Sequence, residues 1–257
     1  MKSASAVRIQ STLFAFALVA LGNNAQATSV GVGLQQATAT FSQSYSGDYS
    51  VGKAINGTLA DNLGWAISPD GSANPASQTA VFETVTDIGF AGGSTLTFTL
   101  YQTHDFDFVF HTLGRFRLSV TTDDRSMFAD GLASAGDVTA NWTILDPDSF
   151  VSANGATLGK LADKSILASG FSPYLDIYTI TANTSLTGIT GIRLEALKDP
   201  SLPFNGPGRQ PINGNFVLSE FEVSIAAVPE PSTGALVMAG CLTWFLNRRR
   251  QKPNPLH

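Results

Sequence analysis

Ser94-Thr95-Leu96-Thr97-Phe98-Thr99-Leu100-Tyr101 alternates polar and apolar side chains without a break. Successive side chains of a strand point to opposite faces, so this stretch predicts a half-buried strand with Leu96, Phe98 and Leu100 turned inward. Arg115-Phe116-Arg117-Leu118-Ser119-Val120-Thr121 repeats the pattern with Phe116, Leu118 and Val120 inward, and Gly191-Ile192-Arg193-Leu194-Glu195-Ala196-Leu197 repeats it again. Turn chemistry separates such runs: Ser68-Pro69-Asp70-Gly71, Phe90-Ala91-Gly92-Gly93, Asp146-Pro147-Asp148 and Asn154-Gly155. Nothing between the two ends of the chain sustains a helical period over three turns. Short strands with frequent turns predict an all-β sandwich or barrel. The last strand carries a slip of parity. Phe216 and Leu218 share one face, whereas Phe221, Val223 and Ile225 share the other, which predicts a β-bulge near Ser219-Glu220.

The two ends read as addresses. Lys2 and Arg8, an apolar core from Leu13 to Leu21, and Ala25-Gln26-Ala27 have the three parts of a secretory signal peptide, which places residues 1–27 outside the fold. At the other end Val228-Pro229-Glu230-Pro231-Ser232-Thr233 precedes an uncharged apolar run from Gly234 to Leu246, then Arg248-Arg249-Arg250 and Lys252. The prolines fix φ and withhold two backbone donors, so this hinge is stiff and extended. Residues 231–247 are long enough for a short spanning helix, and the arginines behind them hold the C-terminus on the cytoplasmic side. Between these ends lies a body of residues 28–227.

That body is acidic. The chain has 15 Lys and Arg against 20 Asp and Glu, and six of the basic residues but only Glu230 of the acidic ones lie in the ends. Such a surface argues against nucleic acid as a partner, because a phosphate backbone demands Lys and Arg. The one cysteine, Cys241, falls in the apolar tail, so the body has no disulfide and relies on its core or on a cation for stability.

Pro229-Glu230-Pro231, the apolar run and the terminal arginines, in that order, resemble the PEP-CTERM sorting signal of Gram-negative bacteria. The resemblance implies recognition by an exosortase, an inner-membrane protease, anchoring until processing, and release to the outer surface or the extracellular matrix.

The body has a resemblance of its own. It runs from about Ala37 to Ile225 and is carried by Asn56-Gly57, Gly64-Trp65-Ala66-Ile67, His111-Thr112-Leu113-Gly114-Arg115-Phe116-Arg117-Leu118-Ser119-Val120, Leu194-Glu195-Ala196-Leu197, Leu202-Pro203, Gly206-Pro207-Gly208-Arg209 and Gly214-Asn215-Phe216-Val217-Leu218-Ser219-Glu220-Phe221-Glu222-Val223. Of these, the runs Gly114 to Val120 and Gly214 to Glu220 are specific and single matches such as Asn56-Gly57 weak. These runs look like a module of large planctomycete cell-surface cytochrome-like proteins, itself similar to the discoidin, or galactose-binding-like, jelly-roll β-sandwich. No Cys-x-x-Cys-His accompanies it, so no haem attachment is expected.

The resemblance implies a structural calcium between an early loop and a glutamate on the last strand, here Asn56, Asp61 and Asn62 with Glu220. Oxygen ligands of this kind suit a hard cation. Asn56 stands where the family has an aspartate, which removes one negative charge. A second candidate is a polar face of His104, Asp105, Asp107, His111, Arg115 and Arg117. The two arginines point the same way on their strand, and guanidinium forks match carboxylates, so this face suits sugar hydroxyls or a uronate. The competing reading pairs Arg115 with Glu195 or Asp123 across the sheet. Trp65 and Trp142, each followed by apolar strand-like residues, read as packing. No Gly-x-Ser-x-Gly elbow is present, and the body has only two histidines, so catalysis has few candidates. The sequence therefore predicts a non-catalytic, exported carbohydrate-binding protein. The alternatives are a structural matrix protein with no small ligand, and a polysaccharide-acting enzyme.

Overall fold

The alternating stretches form antiparallel sheets that pack face to face. A computed structural model describes residues 28–105 and 110–229. The signal peptide, Glu230, Pro231 and the apolar tail lie outside the described residues; Pro229 is exposed at their edge. Among the described residues there are fourteen strands. In chain order they are β1 (Val30–Val32), β2 (Leu34–Ala39), β3 (Trp65–Ala66), β4 (Gln78–Ile88), β5 (Ser94–Gln102), β6 (Arg115–Thr121) and β7 (Thr143–Ile144). Then follow β8 (Pro147–Ser152), β9 (Thr157–Lys160), β10 (Ile166–Ser169), β11 (Asp176–Thr184), β12 (Ile189–Ala196), β13 (Val217–Leu218) and β14 (Glu220–Ala227). One sheet runs β1-β14-β5-β11-β8, the other β2-β4-β12-β6-β10-β9 with β7 beside β6, and β13 pairs with β3 in a small third sheet. Among the described residues no helix is long and apolar enough to cross a membrane.

The period-2 pattern decides which faces meet. Leu96, Phe98 and Leu100 of β5 are fully buried, as are Phe116 and Val120 of β6 and Ile192, Leu194 and Ala196 of β12. Phe82 of β4 meets Phe221 of β14 across the sandwich at 5.2 Å between ring centres, and Phe116 of β6 stacks on Tyr178 of β11 at 5.9 Å. Each side chain buried this way contributes roughly 1.5–3 kcal/mol, which lets the body fold without a disulfide. Trp65 is buried at 0% exposure and donates its indole N–H to Phe41 O at 3.0 Å, so it belongs to the core. Trp142 lies at a sheet edge under the Arg193 guanidinium, 5.2 Å from its ring centre.

Two local expectations change. Asp146-Pro147-Asp148 is not a turn, because β8 begins at Pro147. A proline fits there because it opens a strand at the sheet's edge, where its missing N–H costs no ladder bond. The parity slip is a change of partner rather than a bulge within one strand. Val217 and Leu218 pair with Ala66 and Trp65, Ser219 donates its amide to Tyr101 O at 2.7 Å, and from Glu220 onward the chain pairs with β5. Both faces are covered at this handover, since Phe216 through Phe221 are all buried.

Candidate functional site

The two predicted constellations come to the same end of the sandwich, where β2, β5 and β12 finish and β4, β6, β11 and β14 begin. One of them divides there. Asp105 is exposed and Asp107 lies outside the described residues. His104 and His111 are buried, 6% and 9% exposed, with ring centres 5.2 Å apart and planes at 87°. Arg115 and Arg117 take no part with them. Arg115 binds Asp163 at 2.8 Å, Asp199 at 3.3 Å and Ser165 Oγ at 3.0 Å. Arg117 forms a two-pronged pair with Glu195 at 2.8 and 2.9 Å, and Arg193 approaches the same carboxylate at 3.2 Å. The Glu195 hydrogen bonds raise the pKa of Arg117 above its ordinary value, while burial lowers that of Arg193. Glu195 sits directly opposite Arg117 in the ladder, so strand register forms this pair. Asp123 instead accepts from Asn141. The guanidiniums that would hold a uronate are committed to carboxylates on the outer face of the sheet.

The two histidines open instead onto a cleft of about 320 Å³ built from connecting segments. Gln43, Tyr45 and Tyr49 reach it from the β2–β3 connection, Ser68 and Gly71 from the β3–β4 turn, and Gln210, Asn213 and Asn215 from the segment before β13. Among the described residues that line it, none carries a formal charge other than through histidine. The walls are tied to one another. Asn215 Oδ1 accepts from the Ile67 amide at 3.0 Å and its Nδ2 donates to Gln43 Oε1 at 3.0 Å, while Asn213 Nδ2 donates to Gly71 O at 3.0 Å. Gln210 Oε1 accepts the amides of Ile212 and Asn213. Tyr49 packs its ring against His104 at 5.7 Å. Hydrogen-bonded walls of this kind hold a cleft in shape before a ligand arrives. Sequence inspection finds the histidines but not Tyr45, Tyr49, Asn213 or Asn215, because nothing local marks residues some 170 positions apart as neighbours.

The second constellation comes together except for one member. Gly57 donates its amide to Glu220 Oε2 at 3.2 Å, which brings the early loop against the last strand. Asn56 Nδ2 donates to Asp61 Oδ2 at 3.1 Å, and Lys53 Nζ lies 3.5 Å from the same oxygen. Asn62 turns the other way. Its backbone is left-handed at φ 55°, its side-chain oxygen accepts from the Asp105 amide at 2.8 Å, and its carbonyl meets His104 Nδ1 at 2.7 Å. Burial pushes the Glu220 carboxyl up to about 7; Glu222 and Asp61 push in the same direction, and the Gly57 and Thr58 amides oppose it. Among the described residues no group of three or more His, Cys, Asp or Glu side chains gathers to hold a metal ion.

The chain matches no protein-family model, and no curated protein matches its sequence.

Proposed function

We propose that this chain is an exported, non-catalytic surface or matrix protein whose galactose-binding-like jelly roll holds a neutral carbohydrate in the cleft between His104, Tyr49 and Asn215. The observation that carries this reading is the make-up of the cleft. Tyrosine and histidine rings stand among amide and hydroxyl groups, and among the described residues that line the cleft there is no carboxylate, lysine or arginine. Such a surface offers apolar faces to sugar rings and donors and acceptors to hydroxyls, and gives an anionic sugar no guanidinium to pair with. The volume suits one or two sugar units rather than a long buried chain.

The Pro229-Glu230-Pro231 hinge, the apolar run and the arginines then serve as the sorting tail read by an exosortase. The membrane holds residues 231–247 until the tail is cut, which delivers the body to the cell surface or matrix. Calcium is a structural partner in this proposal. Asn56, Asp61 and Glu220 are the residues that would hold it, because the Gly57–Glu220 contact brings the early loop against the last strand and no salt bridge among the described residues neutralises Glu220. Asn62 drops from the set, since both its oxygens face the 104–105 segment.

A glycan array probed with the purified chain tests the proposal. Binding to neutral glycans, reduced when His104 or Asn213 is replaced, is the expected result. No binding to any glycan, with or without calcium, leaves the structural matrix role in its place.

A further inference from the structure

The cleft floor has a feature that a sugar site does not need. His104 Nδ1 lies 2.7 Å from Asn62 O. A carbonyl only accepts, so Nδ1 carries the proton and Nε2 keeps its lone pair. No hydrogen bond occupies Nε2 among the described residues. A ring nitrogen oriented by a carbonyl bond on the opposite nitrogen is the arrangement that metal-bound imidazoles adopt. The orienting residue is itself constrained, for Asn62 is a non-glycine residue at φ 55° and also clamps the Asp105 amide.

His111 supplies the second ring. Two imidazoles bound to one ion at about 2.0–2.1 Å, roughly at a tetrahedral angle, place their ring centres about 5 Å apart. His104 and His111 stand at 5.2 Å with their planes nearly perpendicular. Both line the cleft, so the remaining coordination positions face an open space with room for water or a ligand oxygen.

We propose that His104 Nε2 and a ring nitrogen of His111 form a two-imidazole site at the base of the cleft for a borderline divalent transition-metal ion such as Zn²⁺, Cu²⁺ or Ni²⁺. Imidazole pairs favour these ions over calcium, whose preferred ligands are oxygens, so this site differs in position and chemistry from the Glu220 loop. It does not depend on carbohydrate binding.

Electron paramagnetic resonance of Cu²⁺ bound to the full chain in detergent tests this. His257→Ala and Cys241→Ser are introduced so that the only histidines left are these two. The expected spectrum shows coupling to imidazole nitrogen at one Cu²⁺ per chain. His104→Ala or His111→Ala should reduce the coupling to that of a single imidazole nitrogen and weaken binding, and calcium in excess should not displace the copper. The unsubstituted pair decides the matter even where a variant folds poorly. A spectrum with oxygen ligands alone overturns the proposal, as does a Zn²⁺-induced rise in the unfolding midpoint that survives both alanine substitutions together.

Discussion

Gly57 and Glu220 are joined by a hydrogen bond of 3.2 Å across 163 residues of sequence. The bond closes the loop after β2 onto the first residue of the last strand, so the ionisation of one carboxyl acts on the seam between the two ends of the body. The pKa of Glu220 is raised from 4.5 to about 7, chiefly by burial. Between those values the native state keeps a proton that the unfolded chain has released. The stability this carboxyl contributes is therefore full below about pH 4.5 and is lost as pH rises through about 7. In chelator, Glu220→Gln should be more stable than the parent at pH 8 by up to roughly 3 kcal/mol, with the difference vanishing near pH 4.5. Glutamine keeps an oxygen for the Gly57 amide, so the hydrogen bond is not the variable. Urea denaturation at a series of pH values measures it; parallel curves for the two proteins would refute the assignment.

Calcium and protons compete for the same carboxylate if the loop holds the ion. The calcium-induced rise in the unfolding midpoint should then grow as pH passes through 7, because only the ionised Glu220 binds. It should disappear in Glu220→Gln and shrink in Asp61→Asn, while Asn62→Ala leaves it in place. Thermal unfolding with calcium and with chelator reads this directly. A calcium shift that persists in Glu220→Gln would move the ion elsewhere.

What could be read ahead of the structure follows from how far each signal reaches along the chain. Alternation is local, and it placed Leu96, Phe98, Phe116 and Leu118 in the core without error. Turn residues acted locally too, except at Pro147, where position at a sheet edge overrides turn preference. The break in parity at Ser219 was visible, but its cause was not, since it depends on β3 lying alongside Val217 and Leu218. The partners of Arg115 and Arg117 were only half legible. Glu195 faces Arg117 through the register of β6 and β12, whereas Asp163 and Asp199 arrive on loops that no periodicity marks. Most of the cleft was hidden for that reason, being assembled from three connections and one turn.

Glu195 neutralises two guanidiniums, those of Arg117 and Arg193. Glu195→Gln leaves Arg193 beside Arg117, whose remaining carboxylate is Asp163 at 3.6 Å, and should cost roughly 2–4 kcal/mol, somewhat under the range for a fully buried pair. Arg117→Met should cost less, because Arg193 still compensates the carboxylate. Chemical denaturation of both variants gives the order, and equal costs would mean that Arg193 contributes nothing to the cluster.

Gly64 precedes β3 with the backbone of Leu218 and Ser219 against it, so close that a Cβ would overlap their main-chain atoms. Main chain cannot rotate away as a side chain can. Gly64→Ala must push β13 off β3 and should cost about 3 kcal/mol. Gly52→Ala, where a Cβ meets nothing within 4 Å, is the control and should stay within about 0.5 kcal/mol. Equal midpoints for the two variants would mean that the small third sheet is not packed as described.

Tyr45 separates binding from folding. It lines the cleft yet is 51% exposed, and its ring stands over Gly71 at the mouth rather than in the core. Truncating such a residue removes a face for a sugar ring but little buried area, so Tyr45→Ala should leave stability within about 0.5 kcal/mol of the parent. Loss of one aromatic contact should weaken glycan binding by roughly 1 kcal/mol or more, a drop of five- to tenfold in affinity. Tyr49→Ala should lower both, because Tyr49 is 8% exposed and packs with Ala66 and Val217 beneath the cleft. The discriminating measurement is titration of the glycan that binds the parent best, alongside thermal unfolding of each variant. Unchanged affinity in a fully folded Tyr45→Ala would place the sugar outside this cleft.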